Sequence, residues 1–267
     1  MTMKRTAHIL LACACLAMTF AAQSPSANGA DQTGASRRVL LITGEDFPGH
    51  KWRETTPVLW GELSKDTRLK IDVLADLKSL GSTRLNDYDA VVLHFKNYDP
   101  NVPGRKGFDN LAKYVKQGGG LMLLHFACGA FEEFKDEFED LAGRVWFGEQ
   151  PPAGRHQHDP RGRFTVNIAK TAHPITEGMK DFDTVDELYT CLEGDKTPIT
   201  PVATAVSKVD GKTYPMAFVL KSGKGRVFHC VLGHDVEAFS APGPAELMRR
   251  GCAWIAGLEP TSAEKQP

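Results

Sequence analysis

No pair of cysteines in this chain has C-x-x-C spacing, which removes a zinc ribbon and a dithiol redox motif. The chain also lacks G-x-x-x-x-G-K-[ST], G-x-G-x-x-G after its first strand, H-E-x-x-H and G-x-S-x-G. Without them there is no phosphate loop, dinucleotide turn, helical zinc pair or serine-hydrolase elbow, and no nucleotide cofactor is expected. An excess of one charge is missing too. The net charge is −1 over 267 residues, with no basic run for a nucleic acid to bind. Hydrophobic content of 42% and charged content of 24% are those of a globular chain with a core, and say no more.

A hydrophobic run of notable length occurs at the N-terminus. Lys4 and Arg5 precede the apolar segment Ile9 to Ala22, and QSPSANGADQTGAS follows. A short basic region, about a dozen apolar residues and then small polar ones form the pattern of a secretory signal, too short to span a bilayer. Residues 1–30 are therefore expected to be a signal and flexible segment, and the protein periplasmic or secreted, with no membrane span. Leu10-Leu11-Ala12-Cys13 loosely fits a lipobox, but the apolar run continues well past that cysteine. Cys13 and Cys15 would leave with the signal. Cys128, Cys191, Cys230 and Cys252 remain, and the last two sit in apolar surroundings as core residues do.

The stretch Gly118 to Phe131, GGGLMLLHFACGAF, organises the rest. Three glycines stop the preceding helix, Leu121 to Leu124 is unbroken apolar chain, and polar chemistry starts at His125. Such a run reads as a strand buried on both faces, as in parallel sheets. Around it the pattern predicts strands at Arg37–Thr43, Leu69–Leu74 and Asp89–His94, with helices at about Arg53–Asp66 and Phe108–Lys116. Strand and helix alternating at this rhythm imply a mostly parallel, doubly wound α/β sheet with helices on both faces. Downstream come an amphipathic acidic helix, Phe131 to Leu141, and a long loop, Gly143 to Arg163. Strands are expected at Phe164–Ile168, Val202–Val206, Pro215–Leu220 and Gly225–Leu232, with Asp210-Gly211 turning a hairpin and Pro244–Ile255 a closing helix. Asp183 to Tyr189 leads into a further strand or short helix. One domain, residues 37–258, is expected, with 259–267 a flexible tail.

The histidines are not scattered. His50 follows the first strand, His94 ends the third, His125 ends the central one and His234 follows the last. In an open α/β sheet ligands bind outside the carboxyl ends of the strands, so these four belong at one edge. His156 and His158 lie in the long loop, which could fold over it. Neutral imidazole is a common metal ligand and a common acid or base near neutral pH. A single histidine at a strand end is more often a hydrogen-bonded structural residue; it is the convergence that points to chemistry. His229 inside a strand reads as packed, and His173 before Pro174 as a turn. A second chemistry stays open: Cys128 as nucleophile with His234 as base and Glu237 as orienter, a Cys-His-Glu hydrolase. Against it, Cys128 lies about three residues beyond the strand end, out of register for an elbow.

Several segments taken together resemble the trehalose-utilisation (ThuA-like) family, relatives of the class I glutamine amidotransferase fold. They are VLLITGEDFPGHKW, YDAVVLH, GGGLMLLHFACGAF, RFTVNIAKTAHPITEGMKDFDTVDELY and GKGRVFHCVLGHDVEAF, ending in RRGCAWIAG, and they span about Val39 to Gly257. The resemblance implies a flavodoxin-like or amidotransferase-like sheet and a role in disaccharide or keto-sugar metabolism. It carries His50, His125, His158, Glu187 and His234 over as site positions, while Cys128 stands where a small or hydroxyl residue is expected. On this reading His125, His234 and Glu187 are the catalytic groups. His94, Trp52, Arg155 and Tyr189 bind substrate, and His50 and His158 hold a divalent metal such as zinc. Hydrolysis, elimination and isomerisation all begin with a polarised carbonyl or an activated water, so the sequence leaves the reaction open. A carbohydrate-binding or scaffold module, with Trp52, Trp146 and Tyr189 as sugar platforms, is the non-catalytic alternative. A small carbohydrate is the expected partner, and homo-oligomer formation is left open.

Overall fold

Each of the three consecutive glycines answers a different steric demand. Gly118 adopts φ +123°, a conformation that L side chains rarely enter, and ends the preceding helix. A Cβ on Gly119 would collide with the Tyr114 ring, and one on Gly120 with the Ile255 carbonyl of the last helix. The central strand is thereby pressed between two helical layers. The computed structural model describes residues 36–146 and 156–261. The expected signal segment, Arg155 with the rest of 147–155, and residues 262–267 lie outside the described residues.

In chain order the first half runs β1 (Arg37–Ile42), α1 (Trp52–Ser64), β2 (Leu69–Leu74), β3 (Ala90–Leu93), α2 (Gly104–Gln117) and β4 (Gly120–Leu124). Next come α3 (Lys135–Ala142), β5 (Val145–Trp146), β6 (Gly162–Ile168), β7 (Phe182–Asp186), β8 (Leu192–Glu193) and β9 (Thr200–Val206). The chain closes with β10 (Thr213–Ser222), β11 (Gly225–Cys230), α4 (Val236–Ser240) and α5 (Pro242–Ile255). Nine strands form one sheet in the order β2-β1-β3-β4-β11-β10-β9-β6-β7. Strands β2, β1, β3, β4 and β11 are parallel neighbours, and β10, β9, β6 and β7 extend the sheet in antiparallel fashion. The fold class is the expected α/β one. Every residue of β4 is buried, with Met122 and Leu124 facing a core beneath α1, α4 and α5, and Leu121 and Leu123 facing α2 and α3. Two-residue periodicity on a strand covered on both faces produces this division.

Two local expectations need correcting. The acidic helix does not start at Phe131, whose φ of +55° breaks the chain; a 3₁₀ turn at Glu132–Phe134 precedes α3. The long loop is not wholly irregular either, because β5 pairs with β8 and His158 bridges Tyr189. No described helix is long and apolar enough to cross a membrane.

Candidate functional site

The chain leaves β4 through His125, at φ +45°. A side chain in this left-handed region costs on the order of 1–3 kcal/mol, and residues held there cluster at functional sites. The sharp turn puts the elbow of the central strand at His125 rather than at Cys128. His125 Nδ1 lies 2.8 Å from the Val231 carbonyl. A carbonyl only accepts, so this nitrogen carries the proton and donates. In the neutral ring Nε2 then holds the lone pair, 2.9 Å from the Tyr189 hydroxyl and 3.6 Å from Glu187 Oε2.

The loop after β1 brings in His50, whose backbone N–H donates to the Phe47 carbonyl at 2.8 Å. The His50 ring stacks on Phe126 at 4.5 Å, and its Nδ1 sits 3.1 Å from the Pro48 carbonyl. Its Nε2 is buried with no hydrogen-bond partner. Burial, then the nearby His125 and His234, push its pKa down to about 3, so the ring is neutral near pH 7.

His234 follows β11 and Gly233, whose φ is +117° and where a Cβ would strike the Phe239 ring. Its Nδ1 is 3.2 Å from Glu187 Oε2, an ion-pair distance without the alignment of a hydrogen bond, so the buried nitrogen remains unsatisfied. The Glu187 carboxylate raises the His234 pKa against the effect of burial. Burial also pushes the Glu187 carboxyl up, but His125 and His234 outweigh it and hold the group well below the usual carboxylate range. One ligand atom each from His50, His125, Glu187 and His234 lie within 4.8 Å of one another. A cavity of about 330 Å³ opens over them, walled by Phe47, Lys96, Phe126, Trp146, His158 and Tyr189 among others.

Two groups missing from the sequence reading complete the site. Asp186, fully buried, accepts backbone N–H bonds from Gly233 at 2.7 Å, Glu187 at 2.8 Å and His234 at 3.2 Å. It ties the end of β7, four strands away in the sheet order, to the end of β11, and so sets Glu187 opposite His234. The signal for it was the adjacent acid pair Asp186-Glu187 at a strand end. Lys96, also unforeseen, lines the cavity with its ammonium 4.5 Å over the Phe47 ring.

His94 is corrected from substrate binder to core residue. It is 1% exposed, its ring nitrogens lie 3.3–3.4 Å from the hydroxyls of Thr43, Thr55 and Thr56, and it does not line the cavity. The imidazole follows a buried strand and meets α1 instead of the cleft. Trp52 does not line the cavity either; Arg53 stacks over its ring at 4.4 Å. His158 reaches the cavity wall but stands outside the four-group cluster. Its Nδ1 lies 2.9 Å from the Asp159 carbonyl and 3.9 Å from Glu187 Oε1. Tyr189 is both in the wall and on His125, and Trp146 packs edge-on against it at 4.9 Å. The cysteine-nucleophile reading does not fit. Cys128 is 1% exposed within the core, burial raises its thiol pKa well above the ordinary value, and Glu237 pairs with Arg161 at 2.6 Å.

A family model described as ThuA, trehalose utilisation, matches residues 38–255. A ThuA-like protein from Parabacteroides merdae is 23% identical, with a TM-score of 0.73 over 85% of this chain and 92% of that one. A ThuA-like protein from Bacteroides uniformis is 17% identical, with a TM-score of 0.64 over 87% and 95%. A glutamine amidotransferase from Thermotoga maritima shares the fold at 13% identity, with a TM-score of 0.53 over 82% and 98%. No curated protein matches.

Proposed function

This chain belongs to the ThuA, trehalose-utilisation, family, and from that premise we propose that it is an exported enzyme acting on a disaccharide or keto-glycoside in the histidine-lined cleft, with a divalent cation held by His50, His125, Glu187 and His234. The observation that carries the reading is the set of four ligand atoms within 4.8 Å of one another. The donors fit such an ion. His50 Nε2 and His234 Nδ1 are buried nitrogens with no hydrogen-bond partner, which is costly unless something else binds them. The ring protons of His50 and His125 point to the Pro48 and Val231 carbonyls, the arrangement that orients ligating imidazoles. Three imidazoles and a carboxylate suit zinc or a similar first-row ion.

Bound there, such a cation would supply Lewis acidity toward a sugar carbonyl or a water. The residues of the chain do the rest. Phe47 and Trp146 present apolar surface to a sugar ring. The Tyr189 hydroxyl now donates to the lone pair of His125 Nε2; with that lone pair engaged by a ligand, the hydroxyl is left to donate to a sugar oxygen. His158, at the wall and beside Glu187, is the group placed to carry a proton in or out.

Protein purified without chelator or affinity-tag metal should contain about one equivalent of a divalent ion by elemental analysis. It should turn over a member of a panel of glycosides and their keto forms, and lose that activity on chelation. Metal-free protein that neither binds zinc in a titration nor processes any member of the panel would overturn the reading and leave a carbohydrate-binding module. Asp186→Asn is expected to weaken zinc by roughly 10–100-fold, as loss of a positioning group around a metal site does. The new amide would present its NH₂ to a backbone N–H it cannot accept from. Unchanged zinc affinity at an unchanged melting temperature would show that Asp186 does not set the distance between Glu187 and His234.

A further inference from the structure

A second depression, about 420 Å³ in volume, lies at the carboxyl ends of β1 and β2, bordered by Glu45, Asp46, Asp76, Lys78, Tyr98 and Asp99. Asp46, which borders it, is followed in the chain by Phe47 of the cleft. The Phe47 ring lines the cleft and lies 6.1 Å from the His50 ring and 6.0 Å from the Tyr98 ring. Phe47 is therefore in ring contact both with His50 of the four-group cluster and with Tyr98 of the second depression.

Tyr98 is 67% exposed, more than any other large hydrophobic among the described residues. Its loop is nonetheless pinned on both sides. The buried Asn97 before it accepts from the Phe131 N–H at 2.7 Å and donates to Glu133 at 3.2 Å. The Asp99 N–H after it donates to Glu45 Oε1 at 3.2 Å, joining the loop after β3 to the loop after β1. An aromatic ring held out in water on a fixed loop, next to a ring that lines the cleft, is a preformed platform. The groups around it, the Asp46 and Asp76 carboxylates and the Lys78 ammonium, accept from and donate to hydroxyls, while the ring takes the C–H face of a pyranose.

We infer that Phe47 and Tyr98 form a second glycosyl subsite, so that the ligand in the cleft extends by a further sugar ring over Tyr98. The inference rests on the carbohydrate reading above and deepens it: the substrate is a disaccharide or longer glycoside, with its reacting ring at the histidines and its outer ring on the tyrosine.

Calorimetry on the zinc-loaded protein tests this, with trehalose and maltose as two-ring probes and methyl α-glucopyranoside as the one-ring probe. Tyr98→Ala should raise the Kd of a two-ring probe roughly tenfold, the loss of about one stacking contact, and leave that of the one-ring probe unchanged. Tyr98→Phe, which keeps the ring, should behave as wild type. Equal weakening of both probe classes, or no weakening of either, overturns the subsite while leaving the sugar reading in place. Wild-type protein that binds none of the three probes and none of their keto forms overturns the sugar reading and the subsite with it.

Discussion

Replacing His125 by alanine is expected to lower kcat/KM by about 10²-fold or more, the range for loss of a positioned acid–base or ligating group. The change removes one of the four convergent donors and the acceptor of the Tyr189 hydroxyl together, and leaves the Val231 carbonyl without its donor. Because the position sits at φ +45°, His125→Asn is the companion variant: asparagine tolerates that backbone better than alanine, so its loss of activity reads chemistry and not folding. Cys128→Ala supplies the contrast. A buried thiol in an apolar core contributes packing, so about 1–2 kcal/mol of stability should go while activity stays within about twofold. Should Cys128→Ala abolish turnover while His125→Asn keeps it, the histidine-centred site is wrong and a thiol nucleophile returns.

Acid should unfold the metal-free protein steeply, and two histidines outside the cluster account for much of it. His94 and His229 are 1% and 0% exposed. Burial pushes the first to about 3, with His125 adding to it, and the second to about 4, against the pull of the Ala142 carbonyl. Both are neutral in the native state, whereas in the unfolded chain they titrate near 6.5. Below that pH the unfolded state binds protons that the native state does not, so stability falls as pH falls. The slope is roughly 1.4 kcal/mol per pH unit for each, about 3 for the pair, until the folded values near 3 and 4 are reached. Over two pH units the pair removes about 5 kcal/mol, a large share of a total of about 5–15 kcal/mol. His234, raised by Glu187, works the other way: its contribution is present below 6.5 and is lost as pH rises through its folded value. Urea midpoints of chelator-treated protein should therefore fall between pH 6.5 and 4.5. His229→Leu, which removes one titrating ring from beside Phe218, should shallow that decline by about half of the pair's share. Midpoints that stay flat to pH 4.5 would mean that neither ring is held neutral.

His50, His125 and His234 were legible as site residues because each follows a strand whose apolar run ends abruptly, and parallel strands deliver their ends to one edge. The same rule misplaced His94, since a strand-end side chain can turn into the core as readily as into the cleft, and the hydroxyls of Thr55 and Thr56 on α1 and of Thr43 just past β1 wait for it there. Alternation along β4 set which of its side chains face which helical layer, and the glycine triplet marked where two helices press on it. These are local consequences of chain chemistry: periodicity, chirality and the volume of a Cβ.

Glu187 is another matter. Sequence alone left Asp183 to Tyr189 as a strand or a short helix, and the family resemblance, not periodicity, singled out Glu187. That a strand at the far edge brings a carboxylate 3.2 Å from His234 depends on the antiparallel half returning to meet the parallel half, with the buried Asp186 carboxylate bridging backbone amides of both. Likewise His158 stands outside the ligand cluster although its Nδ1 meets a backbone carbonyl just as that of His50 does; position in the fold, not hydrogen bonding, separates the two. The sequence by itself determined the α/β class, the buried central strand and the edge where the histidines gather, because those follow from short-range pattern. Which four groups converge was decided by the tertiary structure alone, since convergence depends on contacts between residues as far apart in the chain as His50 and His234, which no local pattern encodes.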